Sequence, residues 1–218
     1  MADAPVLAGT YASHPLATDF AAVVQRIHYR YALEVVDAFA LCPFMNDPAS
    51  AFGRFCVVLS RELVVESARE LVLAAPGVVH LIYPLFEGDS HTMERFGNSL
   101  HEAVRRESSS RGEAGAPVHA TFHPEMDGDP ESPQRRVGFV RRAPDPFVQF
   151  VPQGLTKGGT QFMDPASFDL AALLAAPAKP RGRVATLTSA ELATLADRTR
   201  ALRADRDTSY GRFLDAFH

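Results

Sequence analysis

The chain has 218 residues and a formal charge of −4, with 46% hydrophobic and 22% charged residues. These proportions exclude wholesale disorder and collagen-like repeats, and the slight negative charge offers no broad basic field to nucleic acid or anionic lipid. A chain of this length buries most of the surface its unfolded form exposes, so it needs no disulfide or metal to fold.

Two cysteines, Cys42 and Cys56, form no CxxC pair and no disulfide framework, which fits a reducing, cytoplasmic setting. The stretch 1–15 has no basic start and no long apolar core, so a signal peptide is not expected. No apolar run approaches the ~20 residues of a membrane span. Of the 22 basic residues only Lys157 and Lys179 are lysines; arginine suits planar pairing with carboxylate and phosphate.

In chain order, a loose N-terminus (1–17) precedes a helix that Thr18 or Asp19 can cap and that runs to about Phe39. Phe20, Val24, Ile27, Tyr31 and Val35 recur every three or four residues as its buried stripe. A turn-rich loop from Cys42-Pro43-Phe44 to Gly53 leads into Phe55–Leu59, a short apolar run that reads as a buried strand containing Cys56. Leu63–Ala75 reads as a helix ended by Pro76-Gly77, and Val78–Tyr83 as a second buried strand. Ser90 to about Ser108 is a helix, and Val118–Phe122 a third strand ending at His123-Pro124. Phe147–Val151 is a fourth strand, placed at an edge by its flanking Pro146 and Pro152. Beyond it come a glycine-rich loop (154–161), a short helix (168–174), a linker (175–183) and a last helix from Ala190 to about Asp205, capped by Ser189.

Strands alternating with helices predict an α/β fold. The expectation is a single domain (18–152) of three to four mostly parallel strands with covering helices, joined by right-handed crossovers. Residues 153–218 would form a glycine-rich loop and a helical C-terminal appendage.

The helix over 90–108 carries His91, Glu94 and His101, a pattern that invites a metal. Ten residues separate the two histidines, roughly 15 Å of helix, so one ion cannot bind both; a solvated polar face opposite Met93, Phe96, Leu100 and Val104 is the better reading. His80 and His119 read as packing histidines. His123 stands apart, because it ends a strand at the carboxyl edge, where open α/β sheets place their sites. The loop after it carries Glu125, Asp127, Asp129 and Glu131; it is either a solvated acidic loop or a set of carboxylates that orient His123. Arg141 and Arg142 precede the fourth strand and can clamp a substrate anion. Lys157 and Thr160 lie in a glycine-rich loop that can cradle an anion. Cys42 follows a helix carboxyl end, which lowers no thiol pKa; it reads as inert, as a nucleophile, or as a soft ligand to metal or haem iron.

Three stretches resemble domain-of-unknown-function family 1415, found mainly in bacteria: Leu41-Cys42-Pro43-Phe44 for its L-C-P-F, Thr121-Phe122-His123-Pro124 for its S-F-H-P, and Arg142-Ala143-Pro144-Asp145-Pro146 for its R-S-P-Y-P. The likeness runs from about Asp19 to Val151. This chain departs from the family where it carries Asp145 in place of tyrosine and Gln149 in place of a following histidine. The resemblance implies an α/β fold and draws Cys42, His123 and Arg142 together; it implies no reaction.

The leading expectation is therefore a small soluble enzyme acting on a small polar or anionic substrate, with oxidoreductase or lyase chemistry in view. His123 would serve as base or ligand, Asp129 or Glu125 would orient it, Arg142 would clamp the anion, and Cys42 would be a thiol nucleophile. Glu125, Arg141, Lys157 and Thr160 would bind substrate. The alternatives are a metal- or haem-binding protein using Cys42 and His123, and a partner-binding scaffold. A homo-oligomer is compatible with each.

Overall fold

The computed structural model describes residues 4–42, 53–75, 77–111, 117–132, 134–152 and 183–217. Central strands buried on both faces set the architecture. In β2 (Arg54–Val58) Phe55 and Val57 face one layer and Cys56 and Val58 the other, all four buried. Burial on both faces requires helices on both sides of the sheet. In β3 (Val79–Ile82), all buried, Ile82 joins the first layer while Val79 and Leu81 join the second.

The sheet has five strands in the order β1-β2-β3-β5-β4. β1 (Val6–Ala8) runs parallel to β2 and β2 to β3, while β5 (Phe147–Val151) runs antiparallel to both β3 and β4 (Val118–Phe122). The α/β fold is thus a mixed sheet with four strands pointing one way and β5 inserted against them. Two sequence expectations are corrected here. β1 falls in the segment read as a loose N-terminus; three residues are too few to display a strand period. β5 is no edge strand: Val148 faces Leu81 on one side and Thr121 on the other. Pro146 and Pro152 lie just outside it, so they remove no ladder hydrogen bond from within the strand.

One layer is α1 (Ala17–Tyr31), its π-helical continuation Ala32–Asp37, and α5 (Ser189–Leu214) with a closing 3-10 turn, Asp215–Phe217. The predicted stripe of Phe20, Val24, Ile27, Tyr31 and Val35 is buried throughout. The cap differs: Leu16 occupies the N-cap position, and Asp19 sits in the first turn, where the helix dipole favours a carboxylate. The C-terminal helix is not an appendage. Leu192, Leu195, Leu202, Tyr210, Phe213 and Phe217 share one core with α1 and the sheet, so a boundary at 153 does not separate α5 from the α/β unit. Thr188 and Glu191 close its first turn with a capping box, one residue before the predicted cap.

The opposite layer is α2 (Val65–Leu73) and α3 (Ser90–Ser110), whose Met93, Phe96, Leu100 and Val104 pack on Cys56, Leu81 and Phe150. Cys56 is 1% exposed, and burial pushes its thiol up to about 11. On the outer face of α3 His91 is exposed as expected, but His101 stacks on His119 of β4 with ring centres 4.6 Å apart. A periodic helix face does not reveal the strand side chain that meets its margin.

The crossovers β1-α1-β2 and β2-α2-β3 step the same way along the sheet over opposite faces, so they have opposite hands. One of them breaks the right-handed rule. A short helix, α4 (Arg136–Val140), and a 3-10 turn, Arg183–Thr186, complete the described elements. The predicted helix over 168–174 and the loop 154–161 lie outside the described residues. No described helix is long and apolar enough to cross a membrane.

Candidate functional site

Because β5 is antiparallel, its first residues meet the carboxyl ends of β3 and β4. Tyr83 N–H donates to Pro146 O at 2.9 Å and His123 N–H to Arg141 O at 3.3 Å. The residues after β3, after β4 and before β5 are thus gathered at one edge, with α1 and α5 crossing over it.

At the centre of that edge is Asp145, with no exposed surface. Its Oδ2 accepts from the Tyr210 hydroxyl at 2.6 Å and from His28 Nε2 at 3.0 Å, and its Oδ1 accepts from Arg206 Nε at 2.8 Å. Burial alone would raise the pKa of this carboxyl; the hydrogen bond from His28 and the charges of His28 and Arg206 more than offset it and hold the group below the ordinary carboxylate range. Burial likewise opposes the Arg206 charge, and Asp145 outweighs it, so the Arg206 pKa rises. Arg206 also donates to Pro84 O and Asp207 and lies over the Tyr210 ring at 4.7 Å. Asp145 is therefore the buried acid that ties β5 to α1 and α5.

The sequence reading missed this cluster, although a signal exists. The buried positions of α5 run Leu192, Leu195, Thr199, Leu202, Tyr210 and Phe213, and Arg206 falls on the same stripe, four residues from both Leu202 and Tyr210. A guanidinium on an apolar stripe demands a buried acid. In α1, His28 stands four residues after Val24 on the buried face.

His123 is buried at the carboxyl edge as placed, but its chemistry is different. Nδ1 accepts from Glu125 N–H at 3.0 Å, which leaves Nε2–H to donate to Gly88 O at 3.0 Å. With both ring nitrogens engaged by backbone, His123 has no lone pair for a substrate proton or a metal. It pins the loop after β3 to the loop after β4. Burial lowers its pKa, in keeping with a neutral ring. His123→Ala is expected to cost about 1–3 kcal/mol, because Gly88 O and Glu125 N–H lose their partner; urea unfolding measures this, and a loss below 0.5 kcal/mol would show that the pin carries no weight.

The other predicted site residues divide. Arg142 donates from Nε to Met126 O and from Nη2 to Gly128 O, both at 3.1 Å, and so holds the acidic loop. That loop lies directly on α4: a Cβ on Gly128 would come within 1.9 Å of Phe139 N. Asp129 accepts from Glu131 N–H, shaping the turn instead of orienting His123. Arg141 is half-buried, its pKa lowered by burial. Cys42 is half-buried against the core that α1, the sheet and α5 share. Lys157 and Thr160 lie outside the described residues. Among those residues no group of three or more His, Cys, Asp or Glu side chains is placed to hold a metal ion.

One further residue completes the edge. Arg203 of α5 is half-buried, and its Nε and Nη2 are shielded from solvent with no hydrogen-bond partner among the described residues. Burial first, and then the neighbouring Arg142 and Arg206 charges, lower its pKa, against the pull of Glu125 and Asp207. Arg203 in turn acts on His123. Arg142, Arg203, Arg206, Glu125 and His123 thus form one electrostatic neighbourhood. Comparison with protein-family models, curated proteins and solved structures finds no match to this chain.

Proposed function

We propose that the chain is an enzyme that holds a small anionic substrate at the carboxyl edge of its sheet, between the loop after β3, the β4–β5 connection and α5. The observation that carries this reading is the half-buried Arg203 guanidinium, which neighbours Arg142 and Arg206 as well as Glu125 and Asp207 and has two shielded polar atoms with no hydrogen-bond partner among the described residues. A cation kept there at an energetic cost is best accounted for by an anion that binds it. Arg142 and Arg206, fixed by carbonyls and by Asp145, contribute positive field without needing to move. Glu125 is the proton acceptor nearest in effect, and His123 positions it through the Glu125 backbone N–H. Two of the three stretches that resemble family 1415, Thr121–Pro124 and Arg142–Pro146, border this edge, which supports reading the likeness as one of site as well as fold.

The test is turnover. A mixture of small organic acids and phosphate esters is incubated with the purified chain and with Arg203→Met, and followed by proton NMR. At least one component is expected to be consumed by the wild type and spared by the variant. Consumption of none, or equal consumption by both proteins, contradicts the reading.

A further inference from the structure

β4 closes one edge of the sheet, and no described strand pairs with its outer side. Only Thr121 of its five residues is buried, and Val118 is 41% exposed. Toward the α1 layer, Phe122 secures the carboxyl end of the strand by stacking on Phe147 with ring centres 4.1 Å apart. Toward the other layer, α3 meets β4 at two points one turn apart. At Gly97 the helix comes so close that a Cβ would lie 2.4 Å from Thr121 Oγ1. At His101 the contact is a ring: it stacks on His119 at 4.6 Å and 25°, and His119 stacks in turn on Phe150 of β5 at 5.9 Å. The inner stripe of α3 is held separately, because Met93, Phe96, Leu100 and Val104 are buried in the core.

Two imidazole faces stack while at least one ring is neutral. Two imidazolium charges 4.6 Å apart repel, the more so where water is partly excluded. The surroundings give such a pair no relief. Among the described residues neither ring has a hydrogen bond or an ion pair. β5 presents Phe150 and Gln149 opposite His119 and Ala120, and neither carries a charge. On α3 the carboxylate that acts with His101 is Glu102, already paired with Arg105 at 2.7 Å and flanked by Arg106. From the residues before β5, Arg141 adds a like charge beside His119, and Glu94 acts on Arg141. Burial first, and then His101 and Arg141, hold His119 neutral at pH 7. We infer that the His101–His119 stack is an acid-opened clasp: protonation of both rings parts α3 from β4 and frees the amino half of the strand, Val118–Ala120, while the inner stripe of α3 and the Phe122–Phe147 stack stay in place. Such a clasp makes the sheet edge, and not the core, the first part of the fold to respond to acid.

Amide hydrogen exchange followed by NMR at pH 7 and pH 4 tests this on the whole chain and on His101→Phe, which keeps an aromatic ring over His119 but cannot carry the second charge. At pH 7 the two proteins are expected to exchange alike. At pH 4 the Val118 and Ala120 amides of the wild type are expected to exchange at least about tenfold faster than those of the variant, while Ile27 in α1 and Leu202 in α5 differ by less than about threefold. Comparison at one pH removes the intrinsic acid dependence of exchange, and an unchanged far-ultraviolet circular dichroism spectrum shows that both chains are folded. Equal exchange of Val118 and Ala120 in the two proteins at pH 4 overturns the clasp. A rise in Ile27 and Leu202 exchange that matches theirs also overturns it, since acid then loosens the whole fold and not the edge.

Discussion

Asp145→Ala is expected to lower folding stability by about 3–5 kcal/mol, the usual cost of removing one partner from a buried charge pair. The carboxylate has no exposed surface and takes hydrogen bonds from three side chains on two helices. Its removal leaves Arg206, His28 and the Tyr210 hydroxyl without their acceptor at the junction of sheet, α1 and α5. Asp145→Asn keeps an acceptor oxygen and is expected to cost less, and adding Arg206→Met to Asp145→Ala should restore part of the loss, since it removes the stranded charge. Urea unfolding of the two single variants, the double variant and the wild type measures all of this. A cost below 1 kcal/mol for Asp145→Ala, or strict additivity with Arg206→Met, would contradict the account of this cluster.

Stability should also fall as pH drops from about 6.5 to about 4, with His119 a main contributor. Burial first, and then the stacked His101, lower the His119 pKa from 6.5 to about 4. Above pH 6.5 the ring is neutral in both folded and unfolded chains and contributes no pH dependence. Between 6.5 and 4 the unfolded chain binds a proton that the folded chain refuses, so stability declines; below 4 both are protonated and the decline from this group ends. A shift of that size corresponds to about 3 kcal/mol at 1.36 kcal/mol per pH unit, which partial exposure of the ring reduces to about 2 kcal/mol. The lowered pKa of His123 adds in the same direction. Chemical denaturation at pH 4, 5, 6 and 7 should show a shallower slope for His119→Gln than for wild type, and parallel slopes would contradict the assignment.

How far the sequence discloses this molecule depends on which forces leave a local trace. The stripe from Phe20 to Val35 is read correctly because burial repeats with the period of the helix itself, whereas Val118–Phe122 is a strand with only Thr121 buried. β1 was not legible, because its three residues form a strand only by pairing with Cys56, Val57 and Val58. The direction of β5 was equally hidden: Phe147–Val151 has the same alternation whether it runs parallel at an edge or antiparallel in the middle. The location of His123 followed from the end of a strand, but its role did not. Gly88 O and Glu125 N–H, the groups that use up its ring nitrogens, belong to backbone whose approach is a tertiary event. Nothing local marks Asp145, because its partners sit 117, 61 and 65 residues away at His28, Arg206 and Tyr210. The hydrophobic pattern of α5 held the clue at Arg206, and reading that helix as an appendage concealed it.

The central claim is that the carboxyl edge is an anion site anchored by Arg203, and its most direct measurement is a nitrogen-15 NMR titration of the arginine Nε–H resonances with L-lactate, a small organic anion. Arg203→Met assigns the signal, and exposed Arg105, already paired with Glu102, serves as the internal reference. The account predicts that the Arg203 signal shifts saturably while that of Arg105 stays in place. A lactate titration in which the Arg203 resonance does not move, or moves only in step with Arg105, would contradict it.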